Sequence, residues 1–337
     1  MTKIGIVGGS GFVGGYLTNY LCRKYDIKIL DTKPPKEISD DVEYCNCDIR
    51  NINTLKRGFK DLDLIIHTAI IQIPLINEMK QLGYEVNIIG TQNVCKLVHE
   101  LPNIKGMILT SSWHVMGERE LKGIIDEKYG LRPDKVEDRA RLYAISKICQ
   151  ESITRIFSEM SEKIFSIIRL GTVLGLGMPE KTAANIFIEN GIRGKKITPF
   201  KHSMYRPMLY VDINDVCVGF MSLIDDIIEN SNKHILNKSL NSLEYIYNFY
   251  YPQPITIFDL SMIIRNIIMD ESNNKIKPDI NIVDQGIESL FNEKDKSMMT
   301  IDLGKTLKLF NLTSLTHPRD SLRDIVREKM LNFRYDY

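Results

Sequence analysis

A glycine-rich turn set between an apolar strand and an amphipathic helix constrains this chain more than any other feature. Lys3-Ile4-Gly5-Ile6-Val7 reads as a strand, Gly8-Gly9-Ser10-Gly11-Phe12-Val13-Gly14 follows it, and Phe12, Val13, Tyr16, Leu17, Tyr20 and Leu21 continue into a helix. Short apolar runs then alternate with helical patterns, the order expected of βαβ units in a parallel sheet. The predicted strands are Ile4 to Val7, Ile27 to Leu30, Val42 to Cys45, Leu64 to His67, Gly106 to Thr110 and Phe165 to Leu170. They are continuously apolar, as strands covered on both faces are. Helices are predicted over Tyr84 to Glu100 and Leu142 to Met160, the second with Leu142, Ile145, Cys149, Ile153, Ile156 and Met160 on one apolar face.

Beyond residue 174 the pattern loosens at Gly175, Gly177, Pro179, Gly194, Pro199 and Pro207. Ile213 to Ile228 reads as a helix and Glu244 to Phe249 as a strand. Thr256 with Asp259 forms a capping box opening a helix over Ile257 to Met269, and Thr316 with Pro318 opens a last one. The expected fold class is α/β: a Rossmann-type doubly wound parallel sheet with a smaller C-terminal α/β lobe for substrate. Residues 1–174 form the dinucleotide-binding part, 208–250 return to it, and 175–207 with 251–337 form the lobe.

Composition narrows the function classes. The 337 residues carry 44 Lys and Arg against 43 Asp and Glu, a formal charge of +1. There is no basic field of the kind nucleic acid requires. The longest apolar run, Leu64 to Ile76, is interrupted by His67, Thr68, Gln72 and Pro74, so no membrane span is expected. A strand-like start in place of a secretory leader leads to the expectation of a cytoplasmic protein. The six cysteines (22, 45, 47, 95, 149, 217) show no zinc spacing; reduced thiols and no metal site are expected.

The glycine turn suits a pyrophosphate, because backbone N–H groups at Gly8 to Gly14 can approach it closely and the helix N-terminus presents its positive end. A tight strand-to-helix turn without a ligand would carry the same glycines. Asp31, ending the second strand about 20 residues on, favours the ligand, since a carboxylate there can accept from the adenosine ribose hydroxyls. It also repels a 2′-phosphate, so NAD is expected over NADP, with Lys33 and Lys36 keeping NADP open. Asp48 and Ile49, after the third strand, can bracket the adenine or form a solvated cap.

Tyr143-Ala144-Ile145-Ser146-Lys147 sets a phenol and an ammonium four residues apart on one helical face. A nearby ammonium favours the phenolate, so Tyr143 is expected to be a general base with its pKa lowered by Lys147. Thr110-Ser111-Ser112 ends the fifth strand, on the side where ligands of open α/β sheets bind.

With these motifs the sequence resembles the extended short-chain dehydrogenase/reductases, the NAD-dependent epimerase/dehydratase family. The resemblance also takes in His67-Thr68-Ala69, Val86 to Asn93, Ser111-Ser112-Trp113-His114-Val115-Met116-Gly117 and Arg206-Pro207-Met208-Leu209-Tyr210-Val211-Asp212. It implies that Ser112 holds the substrate alcohol, Tyr143 is the acid/base and Lys147 binds the nicotinamide ribose. Thr68, Ala69, Asn87 and Thr110 would serve the cofactor. Arg206 would face a substrate diphosphate, and His114 and Thr172 would touch substrate.

Family dehydratases and decarboxylases carry a carboxylate where this chain has Trp113 and His114, so elimination and decarboxylation fall away. Oxidation and re-reduction at one carbinol remains, as in nucleotide-sugar 4-epimerases. Ser-Ser-x-His and the Arg169-Leu170-Gly171-Thr172 stretch are also similar to uronate dehydrogenases, which makes net oxidation of a free sugar or uronic acid the alternative. A third reading is a non-catalytic NAD(P)-binding redox sensor. His114 can be a second acid/base or a wall residue, Trp113 a wall plug and His67 a strand-end residue. Lys201, His202 and Tyr205 lie in the loop before Arg206. The family's usual homodimer would pair Tyr84 to Glu100 and Leu142 to Met160 with their copies.

Overall fold

The computed structural model describes residues 1–36, 39–236 and 242–335. Its centre is a parallel sheet of β1 (Lys3–Val7), β2 (Asp26–Asp31), β3 (Glu43–Asn46), β4 (Leu64–His67), β5 (Gly106–Ser112), β6 (Ile164–Leu170) and β7 (Ile246–Phe249). The spatial order is β7-β6-β5-β4-β1-β2-β3. The order reverses beside β1, where β4 pairs with one edge and β2 with the other. A crevice opens at that reversal, beyond the carboxyl ends of the strands. Every residue of β4, β5 and β6 is buried, as their continuous apolar runs predict.

Two expected boundaries move for reasons of pairing. The β5 ladder runs on to Ser112 because Ser111 and Ser112 pair with Arg169 and Leu170. Ser242–Tyr245 forms a 3-10 turn, so β7 begins at Ile246.

Helices cover both faces of the sheet. The labelled ones are α1 (Phe12–Leu21), α2 (Thr91–Glu100), α3 (Asp138–Met160), α4 (Ala183–Ile192), α5 (Ile213–Leu236), α6 (Ile257–Glu271) and α7 (Pro318–Tyr335). Separate apolar clusters lie on the two sides of the sheet, one holding Ile6, Leu17 and Phe220, the other Val7, Val94 and Phe165. No helix among the described residues is long and apolar enough to cross a membrane. All six cysteines are unpaired.

The helix expected over Tyr84 to Glu100 is divided: Glu85–Gly90 is a π-helical turn leading into α2. The wider turn carries Asn87, whose side chain binds both backbone groups of Ile71. The apolar face expected on α3 lies outward. Leu142, Ile145, Ile156 and Met160 are exposed, while Ala144, Ser146, Lys147, Gln150, Glu151 and Thr154 are buried. The sheet side of α3 tolerates polar groups because they are paired there, Lys147 to Thr110, Gln150 to Thr91 and Glu151 to Arg169.

Smaller ladders join the remaining segments, Thr172–Leu174 to Tyr210–Asp212 and Pro207–Met208 to Ile255–Thr256. Thr256 and Asp259 form the expected capping box at α6, each side chain accepting from the other's backbone N–H. Thr256→Ala should cost about 1 kcal/mol, read as a lower urea midpoint at unchanged slope. At α7 Pro318 is the first helical residue, but His317 Nδ1 accepts the Arg319 N–H while Thr316 binds Asp215.

Candidate active site

One cleft of about 1120 Å³ runs from the glycine turn, past Tyr143 and Lys147, to α4. That exceeds the roughly 300–1,000 Å³ of an ordinary small-molecule pocket, and matches a dinucleotide with a second molecule beside it.

The turn is tight because it has no side chains. A Cβ on Gly14 would stand 2.3 Å from the Gly8 carbonyl oxygen. Gly8 has φ +84 and a Cβ there would meet the Ala69 nitrogen at 2.6 Å. Gly8, Gly11, Phe12, Val13 and Gly14 line the cleft. Gly9 instead packs against Ile29, and Ser10 donates its N–H to Asp31 Oδ2 at 3.1 Å. Asp31 also accepts from the Lys33 N–H and faces the same space. Asp48, Ile49, Thr68, Ala69 and Thr110 also line it. Asp48 is held by Arg50, which also reaches Glu85. Asn87 does not reach the cleft: it is fully buried and acts through the strand-end segment it holds at Ile71, with a further bond to Ser146. This corrects its placement as a cofactor contact.

Ser112, at the end of β5, and Tyr143, from the second turn of α3, both line the cleft, close enough for the serine hydroxyl to act on the phenol. One turn on, Lys147 Nζ donates to the Thr110 carbonyl at 2.6 Å. Burial pushes the Tyr143 phenol up to about 12, the Ser112 hydrogen bond opposing it. The expectation that Lys147 lowers this pKa is therefore overturned for the chain itself. Burial likewise drives Lys147 down to about 7 against the pull of Glu151, so the ammonium is itself costly to hold.

On the substrate side His114 Nδ1 lies 3.1 Å from Ser112 Oγ and its Nε2 lies 3.4 Å from Glu118 Oε1. Its ring meets Tyr143 edge-on, with centroids 5.6 Å apart. Glu118 is fully buried and also binds Arg139 at 3.1 Å, with Arg206 3.9 Å away. Burial works against this carboxylate, but His114, Arg206 and Arg139 together hold it well below the ordinary range. Glu137 Oε2 pairs with both Arg139 and Arg206. Arg206 lines the cleft with its Nη1 on Glu137 Oε2 and its Nε on the Met208 sulfur.

Thr172 lines the cleft, whereas Arg169 is fully buried on Glu151. Trp113 is buried against His114. His202 lines the cleft beside Phe200, and Lys201 is exposed on Asp284. Sequence reasoning missed Glu118, Glu137 and Arg139. The one local signal was Glu118 four residues after His114.

The profile described as "NAD dependent epimerase/dehydratase family" matches residues 4–237. The chain belongs to that family. A relative, the GDP-6-deoxy-D-talose 4-dehydrogenase of Aggregatibacter actinomycetemcomitans, is 25% identical over 240 residues, 69% of this chain and 74% of its own length. The bifunctional polymyxin resistance protein ArnA of Wigglesworthia glossinidia brevipalpis is 26% identical over 97% of this chain, which spans 51% of that longer protein. Among solved structures, UDP-glucose 4-epimerase of Thermus thermophilus in complex with NAD superposes with a TM-score of 0.75 at 18% identity, covering 97% of this chain and 99% of that one. UDP-glucuronic acid 4-epimerase from Bacillus cereus gives 0.74 at 19%, covering 97% and 100%. These likenesses establish the fold.

In this epimerase/dehydratase family member His67 closes β4 beneath the cleft, 1% exposed. The Thr91 hydroxyl spends its proton on the Asn87 carbonyl, so His67 Nε2 must be the donor in their 2.9 Å contact. Nδ1 is left bare and without a partner among the described residues. Burial first, and the Lys147 charge second, lower the His67 pKa from 6.5 to about 3. The unfolded chain takes up this proton first as pH falls below 6.5, so stability is lost between 6.5 and 3. At about pH 5 the loss attributable to His67 is roughly 2 kcal/mol. Urea unfolding of a His67→Gln variant should fall that much less between neutral pH and pH 5 than the parent protein does; equal falls would refute it.

Proposed function

We propose that the protein is an NAD-dependent oxidoreductase acting on a single carbinol of a sugar, with net release of NADH. The observation that carries this reading is the meeting of Tyr143, Ser112 and Lys147 in the same cleft as the glycine turn and Asp31. Bound NAD supplies the hydride acceptor. Gly8 to Gly14 fit its pyrophosphate, Asp31 its adenosine ribose, and Lys147 its nicotinamide ribose, with the Asp31 charge disfavouring a 2′-phosphate. Ser112 positions the substrate hydroxyl, Tyr143 would take its proton as phenolate, the form that positive charge from Lys147 and bound NAD would favour against its burial, and His114 holds Ser112 from behind. Segments 175–207 and 251–337 would supply the substrate lobe.

Net oxidation is preferred to epimerisation for a mechanical reason. An epimerase must keep hold of its ketone while the ring turns to receive hydride on the other face, and that needs a distant anchor. Arg206, the group expected to anchor a diphosphate, already carries Glu137 on Nη1, which leaves only part of its fork for an anchor. The deciding experiment incubates the protein and NAD with free sugars, sugar acids and nucleotide sugars, following absorbance and product identity. Stoichiometric NADH is the expected result. Isomerised sugar with no accumulated NADH, or NAD retained through purification, selects the epimerase instead.

The same reading includes a homodimer, supported by the exposed Leu142, Ile145, Ile156 and Met160 on α3. Light scattering should return twice the mass of one chain, and a monomer sinks this part.

A further inference from the structure

Resting on the oxidoreductase reading, His114 has more to do than hold Ser112 in place. It sits in the 3-10 turn Trp113–Met116 that follows β5, is 12% exposed at the side chain and lines the cleft. Its ring nitrogens face different groups: Nδ1 is 3.1 Å from Ser112 Oγ, and Nε2 is 3.4 Å from Glu118 Oε1. Glu118 is fully buried, and the guanidinium groups of Arg139 and Arg206 help His114 to keep it ionised. A carboxylate facing Nε2 calls for hydrogen on that nitrogen, since a bare one would set a lone pair against an anion. The neutral ring therefore carries its lone pair at Nδ1, and Ser112 is the donor in their contact.

That assignment gives the Ser112 hydrogen two claimants. The hydroxyl also acts on Tyr143, and it favours the phenolate only by donating to it. One hydrogen cannot serve both neighbours at once, yet two arrangements of the same chain serve them in turn. With a phenol, Tyr143 donates to Ser112 and Ser112 donates to Nδ1. With a phenolate, Nδ1–H donates to Ser112 and Ser112 donates to Tyr143. The two differ by one proton moved across Ser112, and neither leaves a donor or acceptor of the chain without a partner.

The charges facing the ring permit the second arrangement. Glu118 and Glu137 match Arg139 and Arg206, two against two, and the member that touches the imidazole is the Glu118 carboxylate. Lys147, held on the Thr110 carbonyl, adds positive charge one helical turn beyond Tyr143, on the side of the phenolate.

We propose that His114 is the proton acceptor for Tyr143 through Ser112, with Glu118 a positioning residue that sets the tautomer of the ring and balances its charge once protonated. The phenol hydrogen passes to Ser112 Oγ as the Ser112 hydrogen passes to Nδ1, leaving a phenolate, an intact serine hydroxyl and an imidazolium. The phenolate takes the carbinol proton while hydride leaves for NAD, and the imidazolium returns its proton to water in the cleft. Each turnover thus yields ketone, NADH and one proton.

The proton on His114 can be followed without turnover. Trp113 is the chain's single tryptophan and its ring centroid lies 4.5 Å from that of His114, so an imidazolium there quenches its fluorescence far more than a neutral ring does. Fluorescence of the NAD-saturated protein is titrated against pH, with His114→Gln as the blank. The midpoint of the unaltered protein should lie about half a pH unit or more above that of Tyr143→Phe, in which no phenolate answers the imidazolium, and Glu118→Gln should lower it by about one unit. Coincident midpoints for the unaltered protein and Tyr143→Phe overturn the relay, and an unmoved midpoint in Glu118→Gln overturns the part given to Glu118. Should Glu118→Gln not fold, as judged by its NAD affinity, the Tyr143→Phe comparison decides alone. In turnover, His114→Gln should lower kcat at neutral pH by about a hundredfold with KM within about threefold, and kcat should climb again toward about pH 10, where solvent takes the phenol proton directly. A loss equal at every pH marks a merely structural histidine and refutes the relay. Absence of NADH from every class of sugar condemns the oxidoreductase reading and leaves the fluorescence comparison to decide the role of His114.

Discussion

Tyr143→Phe should lower kcat/KM by about a thousandfold while leaving NAD affinity within about twofold, the scale of losing a positioned general acid/base. The substitution removes one oxygen. It keeps the ring that meets His114 edge-on and leaves Lys147 on the Thr110 carbonyl, so the cleft keeps its shape. The lost oxygen is the one that the Ser112 hydroxyl acts on, and no neighbouring group stands ready to replace it. His114 is turned to Ser112 through Nδ1 and to Glu118 through Nε2, so both ring nitrogens are engaged. The measurement pairs steady-state NADH formation with an independent NAD titration. Full turnover in the Phe variant would remove Tyr143 from the chemistry and with it the proposed function.

The second large effect is on stability. Arg169 and Glu151 are 1% and 0% exposed at the side chain and bind each other through two guanidinium nitrogens, with Ser111 Oγ donating to the same carboxylate at 2.5 Å. Arg169→Met would leave Glu151 with the Ser111 hydroxyl as its hydrogen-bond donor and the Lys147 charge nearby, and should destabilise the protein by about 3–5 kcal/mol, the usual cost of stranding one member of a buried pair. Arg169→Met/Glu151→Met should recover most of that loss, because the desolvation of both charges disappears together. Chemical denaturation of the two variants decides the matter. A double variant no more stable than Arg169→Met would show that the pair contributes more than neutralisation. The same pair draws the Ser111 hydroxyl toward α3, although Ser111 also lines the cleft.

Much of the site was legible in the sequence because its parts are local. The glycine turn is contiguous, Asp31 follows at the end of the next strand, and Tyr143 and Lys147 share a helical face by spacing alone. The strands were legible for a similar reason, since a doubly covered parallel strand must be apolar at every position. The buried polar face of α3 was not. Its apolar stripe is real, yet it points outward, and only the fold reveals that Thr91, Thr110 and Arg169 wait on the other side to receive Gln150, Lys147 and Glu151.

What the sequence by itself determined, then, is the sheet, the dinucleotide turn and the identity of the phenol and ammonium, because each depends on periodicity over a few residues. Tertiary structure alone decided the condition of those groups and of the substrate wall. Burial raises Tyr143 and lowers Lys147 beyond anything their spacing implies. Glu137 and Arg206, 69 residues apart, become partners only when the loop before Pro207 comes to rest against the start of α3. Local pattern carries no record of such a meeting, since the energy of a charge depends on which distant groups surround it once water has been excluded.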